Sequence, residues 1–232
     1  MDVTKNFEVF ISYIGNFIKR DGVSKFIEWL VEETDISSAP ASTKYHMSRE
    51  GGLVKHSINV MKRLIRLVQM EYGSIENSPF SKETLAFVSL FHDISKVNFY
   101  EKYVRNVKNQ ENGQWEQIES YRVKESKDRF VYGSPEENSV YILSKFFDMS
   151  IEESSAIRWV EGYSNSNDPS TVASVFSLYG MSNLAVLLHT ANLLAICIDE
   201  SDNVKMNDIV IKEEENEQDS LRPTPDTIDC PF

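Results

Sequence analysis

An adjacent histidine and aspartate, His92-Asp93, are set in the apolar stretch Leu85-Ala-Phe-Val-Ser-Leu-Phe-His-Asp-Ile-Ser-Lys96. Read as a helix, successive side chains leave the axis about 100° apart, so both groups can reach one object beside it. A divalent metal is such an object, because imidazole and carboxylate suit Zn, Mn or Fe. The competing reading is a core histidine hydrogen-bonded to its neighbour's carboxylate, the ordinary way of satisfying buried polar groups. The pair is not isolated: Gly51-Gly-Leu-Val-Lys-His-Ser-Ile-Asn-Val60 precedes it and carries His56 at the start of another helix. Near the positive end of a helix an imidazole tends to stay neutral, which is the metal-binding form.

Together these stretches resemble the HD-domain superfamily of metal-dependent phosphohydrolases. The likeness is strongest to a bacterial and phage group with the same approach, here Ala39-Pro-Ala-Ser-Thr-Lys-Tyr-His46, followed by the Gly-Gly-Leu...His-Ser turn. It runs from about residue 20 to about residue 200. The resemblance implies a mainly α fold, an HD-domain helical bundle with an inserted β-hairpin. It implies His56, His92 and Asp93 as ligands of a divalent metal (Mn, Fe, Ni or Zn), with Asp93 and Lys96 in catalytic roles. Lys96 lies four residues after His92 and is expected either to touch substrate phosphate or to form a salt bridge that orients Asp93. Lys44, His46 and Arg49 would meet phosphate oxygens at the pocket rim; the alternative is a surface loop whose histidine packs on the body. Substrates implied are nucleotides or short oligonucleotides, in a cytoplasmic, phage- or prophage-related protein.

The pattern also departs from that group. After the hairpin the group has Gly-His-Gly-Glu, where this chain has Tyr132-Gly-Ser-Pro-Glu136. After Ile157-Arg-Trp it has a histidine, where this chain has Val160, and the closing aspartate of the last helix is Asn192 here. The two histidines that support a second metal in that group are absent, so a dinuclear site is not expected. One metal remains, held by His56, His92, Asp93 and the carbonyl oxygen of Asn192, and held weakly or not at all, since a neutral ligand replaces an anionic one. Loss of three ligand positions points to a catalytically weakened or inactive protein that binds a nucleotide, another phosphorylated small molecule or a protein partner. The alternative is an active mononuclear phosphohydrolase. His189, one turn before Asn192, is read as a satisfied core histidine, its other reading being a side chain that reaches the pocket.

The elements that position these groups follow from periodicity. Phe7, Phe10, Ile11, Ile14, Phe17 and Ile18 form a helical stripe, and a second helix follows from Val23 to Glu33 after Asp21-Gly22. A loop covers residues 34–50, and a long helix runs from Leu53 to Tyr72. Ser81, with Thr84 three positions on, caps the helix that delivers His92. Aromatic and β-branched runs around Asn109-Gln-Glu-Asn-Gly113 predict a hairpin within about residues 98–124, beside the site. Helices are expected over Glu136 to Phe147, Ile151 to Val160 (with Ser150 and Glu153 as a capping box) and Asn183 to Asp199. Residues 162–170 read as a polar loop.

The net charge of -12 is unevenly placed. Eleven acids against three bases fall within Asp199 to Phe232, so 1–200 reads as the domain and 201–232 as an acidic, flexible tail. Such a balance argues against an extended nucleic-acid surface while leaving room for one small basic pocket. No apolar run reaches the ~18 residues of a membrane span, and residues 1–7 lack the pattern of a secretory signal. Cys197, read as a core residue, and Cys230 show no framework spacing, as in a reducing compartment.

Overall fold

A computed structural model describes residues 2–109, 113–162 and 168–201. The described chain is mainly helical with one two-stranded antiparallel sheet. The acidic segment expected to be a flexible tail lies, from residue 202 onward, outside the described residues.

Helix α1 (Val3–Phe17) starts at Asp2, whose carboxylate accepts the Lys5 amide, and α2 (Val23–Glu32) follows a tight reversal at Gly22. That reversal needs glycine: φ is +94°, and a Cβ there would lie 1.9 Å from the Phe146 carbonyl oxygen. Helix α3 (Gly52–Tyr72) is the central element, packed against α1, against α4 (Lys82–Phe91) and against α8 (Asn183–Leu194). Ser81 caps α4 by accepting the Thr84 amide, as the sequence predicts. The core holds Phe10, Phe26, Phe87, Phe91 and Phe147. Within it Phe26 meets Phe91 edge-on at 4.8 Å between ring centroids, and Phe147 meets Phe87 at 5.1 Å. Phe91 precedes His92 directly, so this aromatic cluster fixes the end of α4 that carries the polar pair.

Beyond a 3-10 turn (Ile94–Lys96), β1 (Tyr100–Lys108) and β2 (Trp115–Val123) form the expected hairpin, registered from Tyr100 opposite Val123 to Lys108 opposite Trp115. Helices α5 (Pro135–Ser144) and α6 (Ile151–Arg158) each begin with a capping box, Ser134 with Glu137 and Ser150 with Glu153.

Three expectations are corrected. A further helix, α7 (Pro169–Tyr179), begins inside the segment read as a polar loop, with Asp168 as its cap and Pro169 at its first position. The last helix keeps α geometry only to Leu194 and widens into a π-helical segment over Ala195–Asp199. Cys197, expected in the core, is exposed on that segment. Among the described residues no single helix is long and apolar enough to cross a membrane.

Candidate metal centre

The loop before α3 places the first histidine. Gly51, with φ +67°, turns the chain into the helix, and at Gly52 a Cβ would lie 2.0 Å from the Met47 carbonyl oxygen. Loop carbonyls satisfy the first helical amides, with Leu53 N donating to Ala39 O at 3.0 Å and Gly52 N to Arg49 O at 3.0 Å. Four residues on, His56 is fully buried in α3.

His92 and Asp93 lie at the end of α4 rather than within it. His92 is the C-cap, and Asp93 has left the helix with φ −105° and ψ 18°. The expected 100° offset on a continuous helix is therefore replaced by a break. That break turns the Asp93 carboxylate back over the imidazoles. Asp93 Oδ2 lies 3.5 Å from His56 Nε2 and 3.6 Å from His92 Nε2, and the two Nε2 atoms are 3.2 Å apart. With bonds of about 2.1 Å, neighbouring ligand atoms stand about 3.0 Å apart in an octahedron and about 3.4 Å in a tetrahedron. The three donors are spaced like one face of such a polyhedron, and they form a group able to hold a metal ion.

The far side of each ring decides which nitrogen carries the proton. His92 Nδ1 lies 2.9 Å from the Ser89 carbonyl oxygen, which can only accept. His56 Nδ1 lies 3.0 Å from Glu200 Oε2, also an acceptor. In their neutral forms both rings thus keep the proton on Nδ1 and turn an Nε2 lone pair toward the other, with an anionic oxygen beside them. Lone pairs facing at that distance repel unless a cation or a shared proton lies between them. Backing an imidazole by carboxylate or carbonyl is also the usual support for a metal-bound histidine.

Charge at the site is balanced in pairs. Burial pushes the Asp93 carboxyl up, but Lys96 and the two imidazoles outweigh it and hold it well below the usual carboxylate range. Lys96 Nζ donates to Asp93 Oδ2 at 2.6 Å. Burial lowers the lysine, but Asp93 wins and keeps it above its ordinary range. Of the two roles expected for Lys96, the structure contains the salt bridge that orients Asp93. His92 is pushed down to about 4, chiefly by burial, and is neutral near pH 7.

Around this core the other expected residues divide. The His46 ring stands 4.8 Å from that of His56 between centroids, and its Nε2 is buried without a hydrogen-bond partner. His46, His56 and Glu200 form a second group able to hold a metal, sharing His56 with the first. Lys44 and Arg49 are exposed, and Arg49 Nη2 reaches the Met47 sulfur at 3.3 Å. Asn192 is buried on α8. Its Nδ2 donates to Glu161 Oε1 at 3.0 Å, and its Oδ1 has no partner. A buried carbonyl oxygen left in that state suits a cation or a water. His189 is half-buried and bonds the Val160 carbonyl through Nδ1 at 2.7 Å, apart from both candidate metal groups. Where the resemblance leads one to expect further histidines, Ser134 caps α5, Pro135 opens it and Val160 is core.

Two acidic residues were missed from sequence. Glu200, taken as the last residue before the tail, is buried and receives both His56 Nδ1 and Asn59 Nδ2, the latter at 2.9 Å. The π-helical segment brings it there, and the neighbouring Arg63–Asp199 ion pair ties the segment to α3. Burial raises the Glu200 carboxyl, but the His56 contact prevails and lowers it. Glu161, which accepts the Asn192 amide, is raised first by burial and then by the Asp93 charge. The signal for Glu200 was the need of a buried imidazole for an acceptor, met by the one acid pair ending the last apolar helix.

Compared with known protein families, with curated proteins and with solved structures, the chain finds no match.

Proposed function

We propose that this chain is an HD-type domain holding one divalent cation, which it uses to bind the phosphate of a nucleotide or a similar small molecule, with hydrolysis weakened. The observation that carries the reading is the convergence of His56 Nε2, His92 Nε2 and Asp93 Oδ2, with both imidazole protons committed on the far side. A cation bound there would polarise a phosphoryl oxygen and lower the pKa of a bound water. Lys96 holds Asp93 in place and adds positive charge beside the phosphate position, and His46 borders the other side. Weakening follows from Asn192, which supplies a neutral oxygen where the HD pattern has a carboxylate. Glu200 offsets part of this loss, because a carboxylate behind His56 makes that imidazole a stronger ligand.

A second reading, full phosphohydrolase activity with a single metal, is favoured by the unpartnered Asn192 oxygen, which could complete the ligand set. The deciding experiment is metal titration of chelator-stripped protein with Mn²⁺, Zn²⁺, Ni²⁺ and Fe²⁺, followed by phosphate release from nucleoside phosphates. One equivalent bound at micromolar concentration and lost in His92→Ala, with slow or no release, is expected. Rapid release selects the second reading. No binding at micromolar concentration in the native protein overturns both.

A further inference from the structure

A cavity of about 640 Å³ is lined in part by Ser95 of the Ile94–Lys96 turn and by none of His56, His92 or Asp93. Its walls combine two features. Trp29, Phe130 and Phe146 supply aromatic surface, Phe130 being 40% exposed. Lys127, Arg129 and Lys145 supply three cations against a single acid, Asp128. Ser95, only 6% exposed, is also among the lining residues, its Oγ itself being closed off from solvent.

Two of the cations, Arg129 and Lys145, are held over aromatic rings. The Arg129 guanidinium lies 4.8 Å over the Phe99 ring while its Nε donates to the Lys124 carbonyl at 3.1 Å. Lys145 Nζ stands 4.7 Å over Tyr141 and 5.4 Å over Phe130. Lys127 pairs with Glu125 at 2.9 Å, but both are 74% exposed, so water screens that pair and leaves the lysine able to exchange partners. The size suits a small ligand, since such sites span roughly 300–1,000 Å³.

We infer that this cavity is a separate, metal-independent binding site for a nucleoside phosphate. The base lies against the aromatic wall of Trp29 and Phe146, and the phosphate meets Arg129 and Lys145. A bare anion would leave the aromatic wall unused, and a purely aliphatic occupant would leave the cations unused. Because Ser95 lies two residues from Asp93 on the same short turn, an occupant here touches the segment that carries the metal site.

The test is fluorescence anisotropy with N-methylanthraniloyl-AMP, on the full chain, in excess EDTA. Saturable binding is expected, displaced by unlabelled AMP at far lower concentration than by inorganic phosphate. Arg129→Ala and Lys145→Ala should each weaken it about tenfold, with unchanged circular dichroism. Three results would overturn the inference: no saturable binding up to about 1 mM, equal displacement by phosphate, or affinity unmoved by both cation substitutions. Binding that requires added Mn²⁺ and disappears with His92→Ala would also overturn it, since the nucleotide would then belong to the metal centre alone.

Discussion

Glu200 Oε2 accepts the Nδ1 proton of His56 at 3.0 Å although 144 residues separate them, so the end of the last helix sets the tautomer of the buried histidine of α3. Glu200→Gln keeps the shape and removes the charge. It should lower divalent-metal affinity by about 10- to 100-fold, the usual cost of losing such support. Isothermal titration of the variant with Mn²⁺ or Zn²⁺ checks this. Unchanged affinity would show that Glu200 serves only the packing of the π-helical segment.

Asn192 invites the opposite experiment. Asn192→Asp places a carboxylate where the buried amide oxygen now lacks a partner. In the metal-free protein it sets a second acid beside Glu161, whose carboxyl is already raised by burial and by Asp93. The metal-free variant should therefore melt below the native protein, by about 1–3 kcal/mol of stability. With Mn²⁺ present the order should reverse, with affinity raised at least about tenfold. Calorimetric melts with and without metal read both effects, and a variant that is destabilised equally under both conditions sinks the assignment of Asn192 to the metal site.

What the sequence makes legible here is local. The spacing of Ser81 from Thr84 and of Ser150 from Glu153 specifies helix starts because a cap bonds amides only two or three residues ahead. The Asn-Gly dipeptide within aromatic runs specifies the hairpin for the same reason, although residues 110–112 of its turn lie outside the described residues. His56, His92 and Asp93 do lie together, although His92 and Asp93 do not share the continuous helix that their spacing suggests. The pair works from a broken helix end, and which residue breaks helical dihedrals depends on the aromatic packing of Phe91 beneath it. Glu200 and Glu161 sit in no local motif, because their roles depend on contacts more than 30 residues away. Cys197 was misplaced because a π-helical turn rotates the helix face that a regular 3.6-residue period would bury. For α7, Asp168-Pro169 was a readable start signal, outweighed by the polar residues before it.

Acid should separate the metal-free and metal-bound proteins. His92 and His46 are both pushed down to about 4, in each case mainly by burial, against about 6.5 in an unfolded chain. Groups whose pKa is depressed on folding contribute stability above the unfolded value, and that contribution is lost as pH falls toward the folded one. Metal-free protein should therefore melt progressively lower between about pH 6.5 and pH 4. Bound metal excludes protons from His92, so the loss should begin at lower pH when Mn²⁺ or Zn²⁺ is present. Thermal melts across this range, with EDTA or with metal, provide the comparison, and identical profiles would argue against His92 as a ligand.

Away from the site, Arg20 ties the turn between α1 and α2 to the start of α6. It makes two bonds to Glu153, at 3.1 and 2.8 Å, and lies 4.1 Å over the Phe87 ring. Burial raises the Glu153 carboxyl, but Arg20 and the Ser150 amide prevail and lower it. Its contribution is thus present above the ordinary carboxylate range and disappears as pH falls through its lowered value. Glu153 is nearly inaccessible while Arg20 is partly exposed, so the cost of breaking the pair sits below that of a fully buried one. Arg20→Met should destabilise by about 2–3 kcal/mol, leaving an unpaired carboxylate beside the core. Adding Glu153→Gln to that variant removes the stranded charge and should recover about half. If denaturant midpoints show the double variant no better than the single one, the loss arises from the Phe87 contact or the Glu83 pair instead of the Glu153 pair.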